Sequence, residues 1–577
     1  MNSPQPPATA IDDPAWQALV QGIDRHVQGR MGMALGGLSP SQAAVVWLDW
    51  LAHLLQAPGK QLDVARSALV DAQGVAQRWW HQEPTTTPDA RFRAEAWQHW
   101  PYRAWADGFQ WLERSWDRAT HSVPGLDHKH EDVAAFAARQ WLDLLSPANL
   151  PWLNPEVLDA TQRELGANLV RGALNWVDDA HRQAQHQPPA GVEQFKVGQN
   201  VAITPGKVVL KNDLIELIQY SPNTPQVQAE PILIVPAWIM KYYILDLSPH
   251  NSLVKYLVDQ GHTVFMISWK NPGPEDRDKG MDAYRTEGVM AALDTIGATV
   301  PERQVHAVGY CLGGTLLQIA AATMGRDHDH RLASITLFAA QGDFSEAGEL
   351  MLFINESEVN LLEAVMAEQG YLKGAQMAGT FQLLRSNEQV YSRILRNYML
   401  GQRDQPSDLM AWNADTTRLP AKMHSEYLHK LFLHNDLAAG RYEVDGSPIW
   451  FTDIRVPCFA VGTVTDHVAP WKSVYKLHLL PLDVTFVLTN GGHNAGVVSE
   501  PGHPHRHYQL SHRPAGGEYQ PPEAWQAQAP RHEGSWWPAW HDWLKQHSSG
   551  PVAPPRMGPA GRRQKWPDAP GSYVHGT

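Results

Sequence analysis

Apolar positions recur at two different periods along this chain, and the change of period divides it. From about Asp13 to His186 they return every three or four residues, as in SQAAVVWLDWLAHLLQ and DVAAFAARQWLDLL. That spacing predicts a series of amphipathic helices. Proline-bearing segments, HQEPTTTPDARF and SPANLPWLNPEVL, break the series into separate helices. The polar stretch AHRQAQHQPPAG ends it at Gly191 and marks a domain boundary.

Past the boundary the helical period gives way to short, β-branched apolar runs. VGQNVAITPG, KVVLKND and LIELIQYSP read as strands joined by turns. PILIVPAW, HTVFMISW, VHAVG, ASITLFAA, VPCFAVG and DVTFVLTN follow, several of them separated by helix-like segments. Apolar strands alternating with helices predict a parallel sheet covered on both faces, hence an α/β fold. The helically patterned stretch 345–445, between LFAAQGDF and VPCFAVG, is long enough for a lid or cap. After His547 the tail SSGPVAPPRMGPAGRR is rich in Pro and Gly and predicts an extended or mobile segment. The expected layout is a helical domain over 1–190, a catalytic domain over 191–548 with the cap inside it, and a tail over 549–577.

Composition narrows the function classes. With 43% hydrophobic and 19% charged residues, the 577-residue chain reads as globular. Its net charge of −13 argues against nucleic acid or an anionic membrane as a global partner. The longest apolar runs, such as ILIVPAWIM, are strand-length, so no transmembrane segment is expected. The opening MNSPQPPATAIDDPAW lacks a basic region followed by an apolar one, so no secretory signal is expected either. Cys311 and Cys458 are the only cysteines and suit reduced thiols in a cytosol. The 24 tryptophans cluster at helical spacing and are expected mainly as core-fillers.

Candidate chemistry centres on AVGYCLGGTLLQ, which reads as strand, tight turn and helix start. Gly309-Tyr310-Cys311-Leu312-Gly313 fits G-x-nucleophile-x-G, the elbow of the α/β-hydrolase fold, with cysteine where serine is usual. The following helix points its N-terminus at the thiol and favours the thiolate. This fold supplies an acid and a histidine in that order, from loops after later strands. Asp466 follows the strand VPCFAVG, and His493 follows DVTFVLTN. His493 would abstract the thiol proton, and Asp466 would fix its tautomer. The oxyanion hole calls for the backbone N–H of Leu312 and one from Ala237 or Trp238. HPHRH (503–507) and RDHDH (326–330) lack partner ligand clusters and read as solvated loops, so no metal is expected. His467 reads either as lining the site or as a surface residue, and Cys458 as core.

These segments resemble the polyhydroxyalkanoate synthases, in particular the single-subunit type I enzymes. The resemblance is carried by GYCLGGT, by VPAWIMKYYILDLSPHNSLVKYLVDQGHTVFMISWKNP before it, and by TDHVAPWKSVY, GGHNAGVV and HEGSWWPAWHDWL after it. DARFRAEAWQHWPYRAW and NLVRGALNWVDDA extend it upstream, so that it spans roughly Pro88 to His541 and leaves the first eighty or so residues outside. It implies that Cys311 accepts the acyl group, with His493 as base and Asp466 as acid. It also places Ala495 near an acyl pocket. Trp471 would either line that pocket or anchor its loop. No cofactor is implied, since CoA is part of the substrate and is released. The implied setting is a cytoplasmic homodimer on the surface of a polyester granule, with granule-associated proteins as further partners.

The expected activity is polymerisation of short-chain (R)-3-hydroxyacyl-CoA, 3-hydroxybutyryl-CoA above all. A cysteine-dependent thioesterase or polyester hydrolase is the alternative, and a catalytically silent granule-binding protein is a third reading.

Overall fold

The computed structural model describes residues 39–81, 89–185, 187–374, 376–377, 390–559 and 567–576, with isolated positions between 16 and 27. The helix onset expected near Asp13 and the loop over 82–88 fall largely outside the described residues. So does the stretch 378–389 of the expected cap. The chain divides into two compact units.

One unit is helical and comprises Ser39–Gly191 together with Ala378–Pro406. Its main helices are α1 (Pro40–Gln56), α2 (Pro58–His81), α3 (Tyr102–Thr120), α4 (His128–Leu145), α5 (Pro155–Arg163) and α6 (Ala167–Ala184). Side chains of Ser39, Asp127 and Asn154 cap α1, α4 and α5, meeting backbone N–H groups that have no partner inside the helix. Some tryptophans fill the gaps between helices with their N–H bonded to a carbonyl. Trp50 donates to the Ala119 carbonyl at 2.9 Å, and Trp111 to that of Ala68 at 2.8 Å. Others do not fit the core-filler expectation: Trp80, Trp100, Trp141, Trp152 and Trp176 are exposed. Part of the stretch assigned to the cap belongs to this unit. Asn168 and Asn175 of α6 donate to the carbonyls of Met399 and Asn397, and Arg403 pairs with Asp178 and Asp179.

The other unit is built on a ten-stranded sheet. Its strands are β1 (Gly206–Lys211), β2 (Ile215–Tyr220), β3 (Ile232–Val235), β4 (Val264–Trp269), β5 (Val305–Tyr310), β6 (Leu332–Phe338), β7 (Cys458–Thr463), β8 (Val484–Thr489), β9 (His507–Arg513) and β10 (Arg531–Glu533). They lie in the order β1-β2-β4-β3-β5-β6-β7-β8-β9-β10, parallel from β4 to β8 and antiparallel at both ends. Alternate residues of each central strand enter opposite cores. Leu233, Val235 and Ala307 face one, while Ile232, Ile234, Val308 and Tyr310 face the other. Helix α7 (Leu312–Arg326) covers the first face, and α8 (Trp537–Gln546) contributes Trp537, Trp540 and Trp543 to the second. The fold class is the one the sequence predicts.

Two expectations change. VGQNVAITPG is no strand, because Gly198 and Ala202 adopt left-handed backbone (φ +80° and +53°) and close a turn in which Gly198 N–H meets the Val201 carbonyl. The described residues of the tail are tied down. Pro551–Val552 pairs with Val227–Gln228, the Ala569 N–H meets the Gly206 carbonyl, and Glu216 accepts from the N–H groups of Ser572 and Tyr573.

Candidate active site

Cys311 sits at the apex between β5 and α7 with φ +52° and ψ −124°, a conformation that L-residues rarely adopt. The glycines around it answer to space. A Cβ on Gly309 would lie 2.8 Å from the Gly314 nitrogen, and one on Gly314 would collide with the Ala340 side chain. A Cβ on Gly313 would collide with the Val235 carbonyl oxygen and lie 2.6 Å from that of Pro236. The start of α7 is therefore pressed against the loop that follows β3. Leu312, next to Gly313, and Ala237, next to Pro236, flank this approach, and both are buried in the core on the first face of the sheet. The Trp238 side chain turns away into the core against Trp269 and Tyr284.

Asp466 and His493 stand in the loops after β7 and β8, and the His493 Nδ1–H donates to Asp466 Oδ2 at 2.8 Å. The same oxygen accepts from the Thr463 hydroxyl at 3.0 Å. Oδ1 accepts from the N–H groups of Val468 and Ala469, each at 2.9 Å. The Asp466 side chain has no exposed surface. Burial works against its charge, but the charge and N–H of His493 and the two amides together hold its carboxyl below the usual range. On its other side His493 lies close enough to Cys311 for the sulfur to act on its charge. Burial would push the imidazole down, yet the Asp466 carboxylate and then the Cys311 sulfur hold it well above its ordinary value. Cysteine, histidine and aspartate thus meet from three loops at the C-terminal ends of parallel strands, the histidine hydrogen-bonded to the aspartate and beside the cysteine.

The remaining sequence candidates divide. His467 lies in the loop after Asp466, with its carbonyl packed against Gly348 of the inserted segment. Trp471 is buried and packs against Tyr475 and Trp525. Ala495 is half-buried, and its carbonyl accepts from Arg506 at 2.6 Å. Cys458 lies wholly in the core, and burial pushes its thiol up to about 12.

Two residues near the site escaped the sequence reading. Arg506, inside the run taken for a solvated loop, spans the carbonyls of Asn490, Ala495 and Val498 and so braces the histidine loop. Tyr427, from the inserted segment, lies near enough to Cys311 to feel its charge and packs on Phe344 and Phe432. Among the described residues, Glu356, His429 and His434 bring potential metal-ligating atoms within 4.8 Å of one another, with His429 also bonded to Glu363 at 3.0 Å.

A family model described as the N-terminus of poly-beta-hydroxybutyrate polymerase matches residues 88–257. One for the alpha/beta hydrolase fold matches residues 230–499. A third, also for a poly-beta-hydroxybutyrate polymerase N-terminal region, matches residues 18–60 and carries the resemblance into the part the sequence reading left outside it. The poly(3-hydroxyalkanoate) polymerase of Methylorubrum extorquens is 39% identical over 88% of this chain and 84% of its own. The polymerase subunit of Cupriavidus necator is 35% identical over 91% of this chain and 90% of its own. Among solved structures, a monoacylglycerol lipase from Paleococcus ferrophilus is 13% identical, covering 58% of this chain and 99% of its own, with a TM-score of 0.34.

Proposed function

The chain belongs to the poly(3-hydroxyalkanoate) polymerase family, whose members are acyltransferases, and we propose that it polymerises short-chain (R)-3-hydroxyacyl-CoA, 3-hydroxybutyryl-CoA foremost. The C4 unit is favoured by the description of the matching family models, poly-beta-hydroxybutyrate polymerase.

In the proposed cycle His493 takes the thiol proton of Cys311, and the sulfur attacks the substrate's thioester carbonyl. Backbone N–H groups of Leu312 and Ala237 receive the oxyanion. CoA leaves as its thiol, carrying the proton from His493. The acyl group now sits on Cys311 as a thioester, still activated. His493 next takes the proton of another unit's 3-hydroxyl, whose oxygen attacks the acyl carbon. An oxyester forms and Cys311 leaves as the thiol. The first transfer exchanges one thioester for another; the second converts a thioester to an oxyester and runs downhill. A serine would surrender that driving force at the first step.

The observation that carries this reading is the Asp466–His493 hydrogen bond, with Cys311 beside the same imidazole. All four hydrogen bonds to the Asp466 carboxylate come from the protein, and none of its side chain is exposed. This favours a carboxylate acting through His493 over one acting on the substrate hydroxyl. Tyr427 and its aromatic neighbours are suited to keep water from the acyl-enzyme, which would otherwise be hydrolysed.

Granule association is proposed from the helical unit, where Leu62, Leu69 and Trp80 of α2 are exposed. A homodimer, a cytoplasmic setting and granule-associated partners remain part of the proposal through the family resemblance. The test is product analysis with (R)-3-hydroxybutyryl-CoA. Free CoA with insoluble polyester is expected; free CoA with only the hydroxy acid would replace this reading with the hydrolase one.

A further inference from the structure

The nucleophile and its base stand on different strands. Cys311 follows β5 and His493 follows β8, with β6 and β7 between them in the sheet. Small shifts between strands therefore move the imidazole relative to the sulfur unless something local joins the two loops. The outer half of the histidine loop is already braced. Arg506 holds its carbonyls, and the indole N–H groups of Trp536 and Trp537 donate to Gly496 and Val497. Its tip, His493-Asn494, meets the elbow through a different contact. The hydroxyl of Tyr310 donates to Asn494 Oδ1 at 2.5 Å. The Tyr310 ring also lies along the imidazole of His493, with centroids 5.6 Å apart and planes inclined by 32°.

We propose that Tyr310 is a positioning residue for His493, its hydroxyl tethering the loop tip through Asn494 and its ring face fixing the plane of the imidazole against Cys311. The inference rests on the reading of His493 as the base. Tyr310 immediately precedes Cys311, and Asn494 immediately follows His493. The four residues close a ring: Cys311 to Tyr310 by the chain, Tyr310 to Asn494 by the hydroxyl, Asn494 to His493 by the chain, and His493 to Cys311 by proximity. Tyr310 is 2% exposed and ends a central strand, so it is a rigid reference point. Burial holds its phenol well above the ordinary range, which keeps it a neutral donor throughout the working pH. The groups facing His493 are Asp466 on one side, Cys311 on the other, and the Tyr310 ring, whose face favours the protonated imidazole. The hydroxyl and the ring are thus separable in their effects.

Four variants separate them. Tyr310→Phe keeps the ring and removes the tether, and kcat for CoA release is expected to fall about tenfold or more with KM unchanged. The pH midpoint for alkylation of Cys311 by iodoacetamide should stay at the wild-type value. Asn494→Ala should reproduce the kcat loss, and the double variant should be no worse than either alone. Tyr310→Leu removes the ring as well, and its alkylation midpoint should move to higher pH. Wild-type kcat in Tyr310→Phe would overturn the proposal, as would losses that multiply in the double variant. Cys311→Ala serves as background for alkylation and as a separate control. If that variant still released CoA, the reading of Cys311 as nucleophile would fall. The Tyr310 proposal would then be decided by alkylation alone, with an unshifted midpoint in Tyr310→Leu refuting it.

Discussion

Replacing Asp466 by asparagine changes one buried oxygen for an amine and leaves the volume nearly constant. Oδ1 accepts from two main-chain N–H groups, so the amide oxygen of Asp466→Asn belongs there. The amine then faces the Thr463 hydroxyl and His493 Nδ1, where the carboxylate accepted from both. To receive that amine, Nδ1 must present a lone pair, and the ring proton moves to Nε2. A base protonated on the nitrogen meant for the nucleophile cannot take another proton. The charge is lost too. Two unit charges about 4 Å apart interact by about 4 kcal/mol at an effective dielectric of 20, which corresponds to roughly 10³ in rate. CoA release should therefore fall by about 10²–10³ in kcat with KM little changed.

Stability should change in a defined pH window. His493 is shifted upward, so its contribution is full below 6.5 and fades as pH rises through its raised value. Asp466 is shifted downward, so its contribution is full above 3.8 and fades as pH falls through its lowered value. The melting-temperature gap between wild type and Asp466→Asn should be largest between those limits. CoA release followed with a thiol reagent, together with melting curves across pH, checks both expectations. A kcat within threefold of wild type would refute the claim that Asp466 works by orienting and charging His493.

Other perturbations probe different parts of the account. Gly313→Ala places a Cβ 2.6 Å from the Pro236 oxygen, where ordinary contact begins at 3.4 Å. The Cβ also collides with the Val235 carbonyl oxygen, so the elbow and the loop after β3 must part by about an ångström, and about 1–3 kcal/mol of stability and most of the kcat should be lost; melting curves and CoA release read both. Buried His262, His306, His424 and His478 are held down to about 3, 4, 4 and 4 by burial, so each disfavours the folded state progressively as pH falls below 6.5. Each contributes up to about 1.4 kcal/mol per pH unit, and the melting temperature should drop steeply between pH 6.5 and pH 5. Cys311→Ser should release little CoA and form no polymer, since the acyl group would already be an oxyester; product analysis decides this.

What the sequence made legible was local chemistry joined to strong strands. Cys311, Asp466 and His493 each follow an apolar, β-branched run, and their order along the chain told which strand ends to inspect. What escaped depends on contacts between remote segments. Tyr310 and Asn494 are distant in sequence, and nothing in either neighbourhood announces the other. Arg506 was hidden in a histidine-rich run whose composition suggests solvent, although its guanidinium spans three carbonyls of the histidine loop. HYQLSHR forms β9 because β8 offers it an edge, and its own alternation is too weak to announce a strand. The tail reads as extended or mobile by composition, yet the carboxylate of Glu216 on β2 gathers the N–H groups of Ser572 and Tyr573. Conversely, VGQNVAITPG has strand-like residues but left-handed backbone at Gly198 and Ala202.

The central claim is that the growing acyl group is held as a thioester on Cys311. The most direct measurement is mass spectrometry of the Cys311 peptide after rapid quenching with (R)-3-hydroxybutyryl-CoA. The account predicts an added 3-hydroxybutyryl unit or short chain, removable by hydroxylamine and absent from Cys311→Ala. An unmodified Cys311 peptide during active turnover, or polymer formed by Cys311→Ala, would contradict it.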